Sequence, residues 1–245
     1  MDNRRVPARV AWVTKRYGAV TALDAVDFAL APRETLALLG AGGSGKTTAL
    51  RVLLGSVAPD AGAASLFGRD PRVAAHRKRV GAMPEAGTVR ATPTVAEHVR
   101  GAASEHARPL PLDRTLALAG LHGLETRPYG ELSAAEKQRV AFALAICGDP
   151  DVLILDEPTA ALDVESRLAF WVRIRRYAAR GGSILVATDD PGEAQALADR
   201  IVVLACGRVV ADGTAAELRA RAGGVTLEAA YLALTRSAGP DRDAS

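Results

Sequence analysis

GAGGSGKT, Gly40 to Thr47, satisfies G-x-x-x-x-G-K-[ST] at each fixed position. The apolar run TLALLG (35–40) precedes it, and TTALRVLLG follows with helical spacing up to Gly55. A strand, a glycine loop and a helix in that order make a phosphate cradle. The glycines let the backbone curl so that successive N–H groups face an anion, and the helix start adds its positive end. Lys46 would reach β- and γ-phosphates, and Thr47 would ligate Mg²⁺. Gly40, Ala41, Gly42, Gly43, Ser44, Gly45 and Thr48 complete the candidate ATP loop.

A second segment, DVLILDEP (151–158), supplies what such a cradle needs. Its apolar residues read as a buried strand that delivers Asp156 beside the nucleotide, where a carboxylate holds Mg²⁺ directly or through water. Glu157 follows and, as a strand neighbour, is expected on the other side, placed to polarise a water for in-line attack. An acidic pair after a strand is, taken alone, more often a helix cap; the upstream glycine loop decides for chemistry.

The totals set outer limits. The chain has 245 residues, 49% hydrophobic and 24% charged, enough for one large or two modest domains with a substantial core. No apolar run approaches the roughly 18 residues of a membrane span, and MDNRRVPARV lacks the apolar region of a signal peptide, so a soluble cytoplasmic protein is expected. Net charge is +3, from 27 arginines and 4 lysines against 28 acidic residues, without a basic run; nucleic acid is not expected as a partner. Cys147 and Cys206 lie far apart in apolar contexts and are expected as buried, reduced thiols.

Residues 8–38 alternate apolar and polar between turn signals, which predicts short N-terminal strands. Pro/Gly/Asp-rich turns are expected from there to about residue 84, after the helix that ends at Gly55. A helical pattern fills about 86–147, an inserted subdomain. Strand signals return at 151–156, at SILVAT (183–188), and at RIVVLACG and RVVADG (200–213), expected as a hairpin. Strands alternating with helices predict an α/β fold with a mainly parallel sheet, here a P-loop NTPase core. One domain is expected over 1–237, with a loose tail at 238–245.

With LSAAEKQR (132–139) and AALD (160–163) added, the chain resembles the nucleotide-binding subunit of an ABC transporter from Tyr17 to about Gly213. The resemblance implies an antiparallel N-terminal β subdomain, ATP and Mg²⁺ as cofactors, ATP hydrolysis, a separate membrane permease, and pairing of two ATP-binding subunits, identical or different. It makes Tyr17 the aromatic that stacks on adenine, against the plainer reading of a half-buried strand tyrosine. It makes Ala161, Leu162 and Asp163 a loop that contacts the opposite subunit. It puts Glu85, in MPEAGTV, where the family has a glutamine that senses Mg²⁺ and the permease. The end, VTLEAAYLALTR, is similar to those of drug- and lipid-exporter subunits.

Three positions depart from the family pattern. The signature, usually LSGGQ, is Leu132-Ser133-Ala134-Ala135-Glu136. In the family this helix start faces the γ-phosphate bound by the other subunit. Here two β-carbons crowd that approach. Ser133 and Glu136 also fit a capping box, which favours the helix and occupies the serine hydroxyl. After the strand threonine the family places a histidine; ILVATDD has Asp189 there, and the last histidine of the chain is His122. A carboxylate about 4 Å from phosphate charge is repelled by about 4 kcal/mol per unit charge at an effective dielectric of 20. Glu85 for glutamine is the mildest change. The reading is an ATP-binding subunit that drives a permease, an exporter, at reduced turnover. Its alternative is a regulatory clamp that binds ATP and hardly hydrolyses it.

Overall fold

The computed structural model describes residues 6–73, 78–83, 89–160 and 162–236. Glu85, Ala161 and the tail at 238–245 lie outside them. β1 (Ala8–Tyr17), β2 (Val20–Leu30) and β4 (Ala61–Leu66) form an antiparallel sheet with β1 in the middle. A second sheet contains β3 (Thr35–Leu39), β5 (Val80–Ala82), β6 (Val152–Asp156), β7 (Ser183–Thr188), β8 (Arg200–Ala205) and β9 (Arg208–Gly213). Its order is β5-β6-β7-β3-β8-β9, with parallel pairs throughout except the β8–β9 hairpin. The expected α/β P-loop core, mainly parallel sheet and antiparallel N-terminal strands are therefore present.

Helices complete the layers. α1 (Lys46–Leu53) follows β3; α2 (Val95–Ala103), α3 (Leu112–Ala119) and α4 (Ala134–Ile146) lie between β5 and β6. α5 (Val164–Ala178), α6 (Pro191–Leu197), α7 (Ala215–Ala222) and α8 (Leu227–Arg236) follow. The central strands β3 and β7 are buried on both faces, as parallel strands between helices must be. Leu36 and Leu38 of β3 join Leu50 and Leu53 of α1 beneath the N-terminal sheet, while Ala37 and Leu39 face Ala194 and Leu218. Leu153 and Leu155 of β6 pack instead toward α4 and α5. There Phe142 meets Phe170 and Tyr177 edge to face, with centroids 5.4 and 6.2 Å apart. Such pairs add about 0.5–1.5 kcal/mol beyond their buried area, and they fasten the inserted helices to the core.

The structure differs from the sequence reading in three places. The stretch read as turns contains β4 and β5. AGAASL in β4 has no β-branched or aromatic residue, so its propensity is silent; pairing with β1 recruits it. Gly62 is required there: its φ is +77°, and a Cβ would lie 2.5 Å from the Ala11 carbonyl oxygen. Cys147 is buried and its thiol is pushed up to about 11, chiefly by desolvation, but Cys206 is exposed. Cys206 and Gly207, with φ of +48° and +75°, form the two-residue turn of the β8–β9 hairpin. The apolar run ends one residue earlier than its composition suggests. The third difference, at Glu157, belongs to the site.

Candidate functional site

β3 ends in the glycine loop, and α1 begins at Lys46. Gly43 and Gly45 hold φ of +78° and +107°, and a Cβ on Gly45 would lie 2.5 Å from the Ala22 carbonyl oxygen. This tight curl turns the loop back over its own helix. Lys46 is nearly enclosed, 4% exposed, and its Nζ donates to the carbonyl oxygens of Gly40 (2.6 Å) and Ala41 (3.2 Å). The hydroxyl of Ser44 is buried without a hydrogen-bond partner. A buried orphan hydroxyl is costly, about 1–3 kcal/mol, and its place inside an anion cradle gives it a use.

The second half converges on the first. Thr47, at the start of α1, lies beside the Asp156 carboxylate at the end of β6; burial raises the pKa of Asp156, Thr47 opposes that, and neighbouring Glu157 raises it further. Thr47 and Asp156 supply two hard oxygens. Among the described residues no cluster of three or more His, Cys, Asp or Glu could hold a metal alone. Two oxygens completed by phosphate and water suit Mg²⁺, which is rarely caged by protein alone.

Glu157 does not continue the strand to its far side. Its φ is +45°, an uncommon conformation for a side chain of this size, fixed by its N–H on the Ala187 carbonyl (2.8 Å). The bend brings Oε1 within 3.4 Å of Lys46 Nζ. The carboxylate thus stands beside the loop lysine.

Tyr17 ends β1 at the Gly18 turn, is 47% exposed, and has Lys15 Nζ 5.5 Å from its ring centre. Asp189 is exposed just beyond β7, and Gly40 N–H donates to the carbonyl of the preceding Thr188 (3.1 Å). Ser133 caps α4, its hydroxyl accepting from the Glu136 N–H (3.3 Å) while Glu136 accepts from the Ser133 N–H (2.7 Å). Arg127 pairs with Glu136 at 3.2 Å. Ala134 and Ala135 form the first positions of α4, and Gln138 one turn on donates to the Pro158 carbonyl (2.5 Å), tying that helix to the segment after Glu157. Leu162 is buried, and Asp163 caps α5 through the Ser166 N–H (2.9 Å).

The profile of the ABC transporter family matches residues 23–160. The chain belongs to that family. It is similar to the Nod factor export ATP-binding protein I of Burkholderia orbicola (strain AU 1054), 41% identical over 209 residues, 82% of this chain and 68% of that protein. The Paraburkholderia xenovorans (strain LB400) protein of the same name is 41% identical over 218 residues, 84% of this chain and 70% of its own. A solved ATP-binding subunit of an ABC transporter superposes with a TM-score of 0.81 at 30% identity, covering 93% of this chain and 99% of its own. CbiO1 from Clostridium perfringens, part of the ABC transporter complex cbiONQ, gives 0.77 at 26% identity, over 88% and 91% of the two chains. This ABC ATP-binding subunit has, among the described residues, no helix long and apolar enough to cross a membrane.

Sequence reasoning missed a network behind the site. Glu193, on α6, is 1% exposed and accepts from Thr159 Oγ1 (2.7 Å) and Trp171 Nε1 (2.8 Å). Desolvation raises its pKa, opposed by the hydroxyls of Thr159 and Thr188 and the Trp171 indole. Asp190 caps α6 and pairs with Arg167 at 2.9 Å. The one available signal was the spacing of Glu193 and Leu197, which puts a carboxylate on the core face of a helix.

Proposed function

We infer that this ABC subunit binds Mg-ATP and drives a separate membrane permease that exports its substrate. Support for the nucleotide site comes above all from one convergence: the orphan Ser44 hydroxyl, Lys46, and the Thr47–Asp156 pair meet at one end of β3 and β6. Gly40 to Thr48 cradle the phosphates, Tyr17 stacks on adenine, and Thr47 and Asp156 hold the cation. Mg²⁺ held by Thr47 and Asp156 would neutralise phosphate charge. Lys46 leaves the loop carbonyls for phosphate oxygens, and Glu157 orients the attacking water.

Two copies, or this chain and a different ATP-binding subunit, pair through Leu162, Asp163 and the signature residues Ser133 to Glu136. The inserted helices and Glu85 pass the motion to the permease, which places the subunit at the cytoplasmic face of the membrane. The exporter assignment leans on the relatives' names. Turnover is slow, because Asp189 offers no donor and Ala134 and Ala135 crowd the helix start. One missing transition-state donor typically costs about 10²–10³ in rate.

The capping box favours a second reading, a clamp that binds ATP and hardly hydrolyses it, because Ser133 and Glu136 already satisfy one another. Mg-ATP turnover, measured with Glu157→Gln as blank and with the permease added, separates the two. Turnover above the blank that rises with permease supports the transporter ATPase. Turnover equal to the blank in both conditions, with ATP retained, leaves the clamp.

A further inference from the structure

Beyond Asp189 the structure holds a cavity of about 230 Å³, lined in part by Glu157, Arg167, Thr188, Asp189, Asp190 and Glu193. Its rim at Glu157 adjoins the loop lysine, 3.4 Å from Lys46 Nζ. Glu157 is thus shared between the loop lysine and this cavity. The carboxylates of Glu157, Asp189, Asp190 and Glu193 all line it, and Arg167 is the cation among its lining residues.

Arg167 is built to present one edge. Asp190 is anchored through Oδ1, which accepts from the N–H groups of Gly192 (2.7 Å) and Glu193 (3.3 Å) at the start of α6. Its Oδ2 holds Arg167 Nη1 at 2.9 Å. The Arg167 Nε is buried and has no hydrogen-bond partner. A guanidinium offers two oxygens of a phosphate a side-on fork that includes Nε. A buried, orphaned Nε on a residue that lines a charged cavity is the kind of unsatisfied group that a ligand completes.

We propose that Arg167 is a ligand of the γ-phosphate and supplies the cationic donor that residue 189 lacks. Nη1 keeps its contact with Asp190, and the Nε edge carries the phosphate when ATP is bound. The role rests on the ATP-site reading given above, and it makes the chain sensitive to the third phosphate in spite of Asp189.

The test is the ATP-to-ADP affinity ratio, measured by calorimetry with Mg²⁺ in a Glu157→Gln background that keeps ATP intact. Arg167→Gln is expected to weaken ATP about tenfold and leave ADP unchanged. Adding Asp189→His to Arg167→Gln is expected to restore the ratio. Asp190→Asn, which keeps the helix cap and removes the ion pair, is expected to hold ATP preference within about threefold. Equal weakening of ATP and ADP by Arg167→Gln, no weakening, or no repair by Asp189→His makes Arg167 a strut and overturns the proposal. Loss of ATP preference in Asp190→Asn overturns it too, since the ion pair would then be what matters. A parent protein that binds neither nucleotide overturns the ATP site itself; retained ADP binding with unchanged ATP preference overturns the role of Arg167 alone.

Discussion

The glycine loop and the start of α4 are both helix N-termini that present backbone N–H groups, and they treat those groups in opposite ways. At the loop, Gly45 leads into α1 without a side-chain cap, and the Ser44 hydroxyl is buried and unpartnered. At the signature, Ser133 and Glu136 cap each other, with Arg127 bracing the carboxylate. The first end keeps hydrogen-bonding capacity in reserve; the second has spent it on itself. A helix end that leaves its donors open is less stable and ready for an anion, whereas a fully capped end must break its own bonds to take one.

The sharpest way to break this contrast is at the bent glutamate. Glu157→Gln should lower Mg-ATP turnover about 10²–10³-fold while ATP affinity, read by calorimetry, stays within about threefold. Equal losses in both would mean that Glu157 belongs to binding. Lys46→Ala should weaken ATP about 100-fold, the scale of truncating one partner of a buried charge pair. An unchanged affinity would empty the loop of its role.

The capped end can be pushed the other way. Ala134→Gly with Ala135→Gly restores close approach and should raise turnover several-fold. The same pair should cost about 2 kcal/mol of helix stability, a drop of roughly 4–8 °C in melting temperature for a chain of this size. A gain in rate with no loss in melting temperature would show that the cap, not the backbone, sets α4. The smallest effect is in acid. The Ser133 N–H holds the Glu136 carboxyl below its usual 4.5. Its contribution is therefore complete above pH 4.5 and is lost as pH falls through the lowered value. Amide exchange at residues 133–136 should quicken over that range, and Glu136→Gln should remove most of the pH dependence.

Much of this fold could be read in advance because the central strands of the second sheet are apolar runs. TLALL and SILVAT are buried along their whole length, and nothing but a central strand suits them. β4 was illegible because AGAASL carries no propensity and owes its form to β1. The capping box was legible at three-residue spacing. The Glu193 network was not, since Thr159, Trp171 and Thr188 reach it from separate elements through packing alone. Glu157 escaped for a different reason: alternation along a strand assumes extended backbone, and one residue at φ +45° reverses the outcome.

The hairpin turn at Cys206–Gly207 grips the loop from behind. Gly207 donates its N–H to the Ser44 carbonyl (3.1 Å) and accepts from the Asp24 N–H (2.8 Å). Its neighbour Cys206 carries an exposed thiol, while Cys147, the other cysteine, is buried with its thiol pushed up to about 11. A maleimide dye on the native chain would therefore react selectively at position 206, one residue from the backbone that holds the glycine loop. The protein brings its own optical handle: dye fluorescence would report loop occupancy in real time, with no cysteine to add or remove.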